Sequence, residues 1–405
     1  MRISLLAACL LASVVPAHAQ TTPQEAAVTV ATQSGLDTWI SAFRMRALVA
    51  GITEQTFDAA MTRVTLDPEV IEKDRNQGEF TRTIWDYLDR AVSDLRISNG
   101  RDMLAKHAAL LDRIEATYRV DGEVVLAVWG LESSYGAFMG DKSLIASLAT
   151  LAYDGRRAAF FEAELIAALR IIQDGNVTAD RMTGSWAGAM GHTQFMPSSY
   201  LRTAVDFAGD GKRDIWGADP TDALASTAAY LQAAGWVFDA PWGMEVALPA
   251  GYDFDQSSEA VVKPVADWAA LGVTLPGGGA LPDHGPARLI LPAGHRGAAF
   301  LTFANFQAIE AYNPADAYVI GIGHLADRLK GGPAIQQPWP REDRALQLAE
   351  RIELQQLLTD AGFDAGGADG KVGPKTVVAV KGYQQARGLI PDGYANPALL
   401  ELLRG

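Results

Sequence analysis

The sequence predicts a mainly α-helical protein with a small β-rich insertion and a small C-terminal module of three helices. Three observations lead there. Apolar residues recur at helical spacing in successive segments up to Ala234 and again over 305–329. Between Pro241 and Arg296, Pro and Gly cluster and short runs alternate, as in strands and tight turns. Finally, Gln336-Gln337-Pro338-Trp339-Pro340 reads as a linker, placed at 336–344, and residues 345–405 carry apolar stripes of their own.

The chain of 405 residues suits two or three domains. With 49% hydrophobic and 20% charged residues it is globular. A net charge of −14 argues against nucleic acid or an anionic membrane as the main partner, since both need a basic footprint.

Met1-Arg2, an apolar run Ile3 to Val15, and Ala17-His18-Ala19 before Gln20 have the layout of a cleaved signal peptide over 1–19. An exported, soluble, periplasmic and monomeric protein is expected. Cys9, the one cysteine, lies in this leader, so the mature chain should hold no disulfide. Leu6-Ala7-Ala8-Cys9 has the look of a lipoprotein signal, but the apolar core ahead of Cys9 is too short, and lipid anchoring is not expected. No later apolar run reaches membrane-spanning length.

Taken in order, Asp37–Ala50, Phe80–Ile97 and Arg101–Tyr118 read as core-facing helices. Asp121 is a good N-cap for a helix running through Glu132. In it Val125, Val128, Trp129 and Glu132 share one face. A glutamate there has two readings. It is either a rim residue, solvated or paired, or a carboxyl kept protonated near neutral pH by burial, which suits a general acid. Asp154–Gln173 reads as one long helix with Phe160, Phe161, Leu165, Leu169 and Ile172 inward and Arg156, Arg157, Glu162 and Glu164 on a solvated face.

Thr183 to Tyr200 is rich in small residues, which let backbone groups approach a ligand closely. Ser185, Gln194 and the neighbouring Trp186, Phe195 and Tyr200 suit a sugar, with its polar rim and apolar faces; a tight helix connection is the alternative. His192 stands alone and makes no metal centre. Asp206 to Asp214 has the spacing of a calcium loop: Asp206, Asp210, the Lys212 carbonyl and Asp214 fall at ligand positions, and Gly211 supplies the turn. Ala208 cannot ligate and no acid stands at the twelfth position, so the motif is partial. Helix returns over Asp222–Ala234. The β-rich insertion, about 241–300, has strands at Met244–Leu248 and Ala287–Leu291, and Asn305–Leu329 closes the main domain, 20–335, as helix. In the terminal module Ile352, Leu354, Leu357 and Leu358 form one stripe, Val377, Val380 and Tyr383 a second, and Pro397–Leu403 is the last helix.

Residues from about 30 to 330 resemble the lytic murein transglycosylase B family. The resemblance is carried by Trp129-Gly-Leu-Glu-Ser-Ser-Tyr-Gly136, Gly184-Ser-Trp-Ala-Gly-Ala-Met-Gly191 with Gln194-Phe-Met-Pro-Ser-Ser-Tyr200, Ala204-Val-Asp-Phe with Gly209-Asp-Gly, and Tyr312-Asn313. Asp369-Gly-Lys-Val-Gly-Pro-Lys-Thr376 and Tyr383-Gln384 are similar to the peptidoglycan-binding domain of cell-wall enzymes.

The resemblance implies a lysozyme-like helical fold acting on peptidoglycan glycan strands. It also implies cleavage of the MurNAc–GlcNAc β-1,4 bond with closure to 1,6-anhydroMurNAc, and association with other cell-wall enzymes. Glu132 is then the single acid and base, Ser185 and Gln194 line the sugar site, and Tyr230, Tyr312, Asn313 and Tyr318 match further site positions. No cofactor is required. A structural calcium would sit on Asp206, Asp210, Lys212 and Asp214, with Asp222 as closing acid. A hydrolytic muramidase and a non-catalytic wall-binding scaffold are the competing expectations.

Overall fold

The computed structural model describes residues 31–75, 82–257 and 260–405; the expected leader, with Cys9 and the cleavage site, lies outside them. The main body begins with α1 (Gln33–Val49), α2 (Glu54–Met61) and α3 (Pro68–Arg75). There follow α4 (Ile84–Ala91), α5 (Asp94–Lys106), α6 (Ala108–Tyr118) and α7 (Gly122–Ser133). The stretch expected to form two helices, 80–97 and 101–118, thus holds three. Ser93 breaks the first run: its side chain accepts the Arg96 N–H and starts α5. Such a cap leaves the apolar periodicity unbroken, so spacing alone does not reveal it.

Helix α7 is buried on all sides, with Val124 through Gly130 and Ser133 inside the fold. A helix apolar all round belongs in the centre of a domain. The one-face reading of its sequence was therefore too narrow. Asp121 sits at its N-cap but makes no side-chain capping bond. Its carboxylate instead accepts from Trp236 Nε1 at 2.9 Å and Lys330 Nζ at 3.0 Å.

Beyond the short strand β1 (Lys142–Ser143) come α8 (Leu144–Asp154) and α9 (Ala158–Gln173). The helix expected at 154–173 starts only at Ala158, because Gly155, at φ 92°, ends α8 in the left-handed conformation. Two side chains of α9 depart from expectation. Phe160 is 46% exposed, and Glu164 is buried rather than solvated. The Glu164 carboxylate accepts the Ser198 N–H at 2.9 Å and its hydroxyl at 2.7 Å, at the start of the next helix. A carboxylate there satisfies a backbone donor that helix geometry leaves unpaired.

The Gly/Ala-rich segment opens with β2 (Thr183–Gly184), antiparallel to β1, and leads into α10 (Pro197–Thr203) and α11 (Thr221–Ala233). The insertion is a three-stranded antiparallel sheet of order β3-β5-β4, with β3 (Gly243–Val246), β4 (Arg288–Ile290) and β5 (Ala299–Thr302), plus α12 (Val265–Ala270). The central strand, β5, was not anticipated. All four of its residues are buried, so it shows no alternation. The helix expected over 305–329 is two, α13 (Ala304–Glu310) and α14 (Asp316–Leu329), with Tyr312 and Asn313 in the turn between.

Four hydrophobic clusters result. One joins α1, α2, α8 and α9; a second joins α4 to α7 with α11, α13 and α14; a third lies in the insertion; a fourth fills the terminal module. Helices α7 and α14 run antiparallel. Tyr318 near the start of α14 meets Glu132 near the end of α7, and Lys330 just past α14 meets Asp121 at the start of α7.

The module consists of α15 (Leu348–Asp360), α16 (Pro374–Ala386) and α17 (Pro397–Arg404). It is fastened to the body. Lys381 Nζ donates to Phe254 O at 2.7 Å, Ser257 Oγ at 3.1 Å and Ser257 O, and His295 Nδ1 pairs with the buried Asp392 carboxylate at 2.5 Å. The linker is held as well: Glu245 accepts the Gln336 and Gln337 N–H groups, and Arg341 pairs with Asp89 at 2.7 Å.

Asp327, on α14, accepts from Trp242 Nε1 at 2.8 Å. Desolvation, only partly offset by Trp242 and Lys330, raises its carboxyl from 3.8 to about 6. The charged form therefore costs folding free energy above about pH 6, and the cost vanishes below about pH 4. By linkage it is at most about 3 kcal/mol. Asp327 lines two adjoining cavities of about 240 and 710 Å³, and solvent screening there makes the cost smaller. Asp327→Asn, which keeps an acceptor for Trp242, is expected to raise the thermal midpoint at pH 8 by a few degrees and leave it unchanged at pH 4. A stabilisation equal at both pH values would mean that the charge is not the cause.

Candidate active site

Glu132 lies one residue before the end of α7, where the helix leaves the core. Its backbone is anchored by the buried run before it, and its half-buried carboxylate points toward α14. The Tyr318 hydroxyl donates to Glu132 Oε1 at 2.6 Å. Tyr318 is 6% exposed, and burial first, then the nearby Glu132 charge, push its phenol well above the usual 10. It therefore stays protonated and acts as a donor across the working pH range.

Tyr312 stacks on Tyr318, with ring centroids 6.5 Å apart and planes 11° apart. Tyr230 meets Tyr312 edge-on at 4.8 Å, and Phe195 touches both. The hydroxyls of Tyr312 and Tyr230 are committed to the scaffold. Tyr312 donates to Thr193 O at 2.6 Å and Tyr230 to Ala311 O at 2.5 Å. These two tyrosines thus tie α11 and the α13–α14 turn to the Gly/Ala-rich loop, while the Tyr318 hydroxyl is hydrogen-bonded to Glu132.

Gln194 has a left-handed backbone, φ 53°, and its amide nitrogen donates to Met139 O at 3.0 Å and Gly191 O at 2.8 Å. Its fixed side chain leaves the amide oxygen as an acceptor. Ser185 Oγ accepts from Ala187 N at 3.3 Å and Ala189 N at 3.0 Å, closing the Gly/Ala turn and keeping its own proton to donate. Asn313 is exposed; its Oδ1 accepts from Ala315 N at 3.1 Å, and its amide N–H groups remain to donate.

The acidic loop closes on itself through backbone amides. Asp206 accepts from Gly209, Asp210 and Gly211, Asp210 accepts from Lys212, and Asp222 accepts from Phe207, Ala208 and Asp214. Carboxylate oxygens of Asp206, Asp210 and Asp222 lie within 4.8 Å of one another. Asp214, expected among the ligands, is outside this group: its carboxylate accepts from Trp216 N at 2.9 Å and Gly217 N at 3.0 Å. Burial first, with the Asp206 charge adding, raises the Asp222 carboxyl. An all-oxygen group with uncompensated negative charge fits a hard cation such as calcium, which relieves that repulsion when bound.

Sequence reasoning assigned no positioning contact to three residues here. Ser133, beside Glu132, is buried and donates to His192 O at 2.5 Å. Trp129 Nε1 donates to His192 Nδ1 at 3.1 Å, and His192 Nε2 faces Gly217 O at 2.7 Å. Helical spacing links 129 with 133, but nothing in the spacing links that pair to 192 or 217; the one available signal was a histidine two residues from Gln194.

A helical body in which a tyrosine donates to a carboxylate at the end of the central helix, beside an aromatic cluster, has the architecture of lysozyme-like transglycosylases. Residues 35–327 match the family described as "Transglycosylase SLT domain", and residues 347–403 match "Putative peptidoglycan binding domain". The chain belongs to the transglycosylase SLT domain family. It is 51% identical to SltB3 from Pseudomonas aeruginosa, solved in complex with NAG-anhNAM-pentapeptide, over 91% of this chain and 99% of that one, with a TM-score of 0.89. With the Escherichia coli lytic transglycosylase Slt35, solved in complex with calcium, it shares 27% identity over 76% of this chain and 98% of that one, with a TM-score of 0.62. It is also 32% identical over 246 residues to the membrane-bound lytic murein transglycosylase B of Escherichia coli K12, an alignment spanning 59% of this chain and 65% of that protein.

Proposed function

We propose that the protein is a peptidoglycan lytic transglycosylase, cleaving the MurNAc–GlcNAc β-1,4 bond and leaving 1,6-anhydroMurNAc. The observation that carries this reading is the 2.6 Å hydrogen bond from Tyr318 to Glu132 within the aromatic cluster, in a chain that belongs to the family.

In this reading protonated Glu132 gives its proton to the leaving glycosidic oxygen. Tyr318 holds the carboxyl in place and stabilises the carboxylate that forms. Most glycosidases need a second carboxylate. Here the substrate's N-acetyl oxygen would serve as the internal nucleophile. The Glu132 carboxylate then takes the proton of the MurNAc 6-hydroxyl as that oxygen closes on C1. The attacking hydroxyl is already tethered to the sugar, which gives it an entropic advantage over water. Gln194 Oε1 and the Ser185 hydroxyl would bind sugar or acetamido groups, and Asn313 would offer donors at the rim. Export by the N-terminal leader would bring the enzyme to the wall. None of the described helices is long and apolar enough to cross a membrane.

Product mass tests the reading. Digested sacculi should yield muropeptides lighter by one water than their hydrolysis counterparts. Full-mass reducing-end products would instead identify a hydrolytic muramidase on the same fold.

The acidic loop is proposed as a structural calcium site held by Asp206, Asp210 and Asp222, a reading supported by the donor set and by Slt35 having been solved with calcium. Added calcium should raise the thermal midpoint relative to a chelator-treated sample, and magnesium should do so less. An equal midpoint in all three solutions would leave the loop as a self-closed Asp-rich turn.

A further inference from the structure

His192 is 5% exposed and lies between two structures that the sequence keeps far apart. On one side is the end of α7. Trp129 Nε1 donates to the ring at Nδ1, the Ser133 hydroxyl donates to the His192 carbonyl, and the Trp129 ring stands edge-on at 5.6 Å. On the other side is the acidic loop. Because Nδ1 accepts, Nε2 carries the proton and donates to Gly217 O at 2.7 Å, while the His192 N–H donates to Ile215 O at 3.0 Å.

The path continues in both directions. The Gly217 N–H donates to the Asp214 carboxylate, and the Asp214 N–H donates to Asp222. Toward the site, Ser134, Tyr135 and Gly136 run through left-handed backbone at φ 51°, 60° and 85°. Such a run costs conformational energy and persists only where surroundings impose it. The ring helps impose it: a Cβ on Gly136 would lie 2.6 Å from His192 Nδ1, and the Gly136 N–H donates to Ser133 Oγ at 2.9 Å.

We infer that His192 is a positioning residue for Glu132, transmitting the order of the Asp206–Gly217 loop to the helix end that carries the acid. This rests on Glu132 being the catalytic acid. Neither ring nitrogen reaches substrate in this arrangement; both are used inside the fold.

The test uses the whole protein. His192→Phe keeps a ring and removes both side-chain bonds; His192→Gln restores a donor toward Gly217. With purified sacculi, His192→Phe should lower kcat about 10- to 100-fold while KM stays within about twofold, and His192→Gln should recover part of the loss. Hydrogen exchange at the Ser134, Gly136 and Gly217 amides should quicken in His192→Phe. Asp222→Asn should lower kcat too, and combining it with His192→Phe should cost less than the product of the two losses. If His192→Phe does not fold, His192→Gln and Trp129→Phe carry the same measurements. An unchanged kcat in folded variants, strictly multiplicative losses, or unchanged exchange would overturn the inference. A wild-type protein that releases no soluble glycan would sink the functional reading instead, and the exchange measurement would still decide whether His192 orders the helix end.

Discussion

Glu132→Gln is expected to lower turnover of sacculi by about 10²–10⁴-fold, the range for removing a general acid. The change is nearly isosteric, and the amide can still accept from Tyr318, so the fold should survive with an unchanged melting temperature. KM and the binding of sacculi should change little, because the terminal module and the other candidate sugar-binding residues remain. Loss of glycan release with retained binding separates catalysis from a scaffold role. Turnover equal to wild type would remove Glu132 from the mechanism, and with it the proposal that one carboxyl acts as acid and then base.

Tyr318→Phe is expected to have the second largest effect. It removes the hydroxyl that donates to Glu132 at 2.6 Å and leaves the ring stacked on Tyr312. A hydrogen bond to a charged group contributes about 1.5–3 kcal/mol. If that difference is expressed in the step where the carboxylate forms, kcat falls about 10- to 100-fold. The sign follows from the charge: Tyr318 stabilises the carboxylate, so its loss makes Glu132 a poorer proton donor to the leaving oxygen. The limb of the kcat–pH profile on which Glu132 loses its proton should move to higher pH. Matching Tyr312→Phe is the control, since its hydroxyl serves Thr193 O. A profile that moves as much for Tyr312→Phe as for Tyr318→Phe would show that packing, not the hydrogen bond, matters.

Much of the helical body was legible in the sequence, and the places where it was not share a cause. Periodicity reports which residues face the core, not where the backbone turns. The breaks at Ser93, His107 and Gly155 leave the apolar pattern running, so two predicted helices became three and 154–173 lost its first turn. Strand β5 is buried along its whole length and α7 on all sides, so neither shows the one-sided pattern that sequence reasoning looks for. Glu164 was read as solvated because charges usually are; it is buried because its carboxylate meets the start of α10.

The candidate site divides in the same way. The sequence by itself pointed to the candidate residues: side-chain type and local spacing singled out Glu132 at a helix end, Ser185 and Gln194 in a loop of small residues, and a partial acidic loop, while Tyr312 and Asn313 came through the resemblance to the family. Only the tertiary structure decided what each does. It brought Tyr318, 186 positions away in sequence, to 2.6 Å from Glu132. It spent the Tyr230 and Tyr312 hydroxyls on backbone carbonyls, turned Asp214 away from the other carboxylates, and made His192 a bridge. The physical reason is that hydrogen bonds are short and directional. Partners are selected by where folding puts an atom to within a few tenths of an ångström, and linear spacing carries no such information across separate elements.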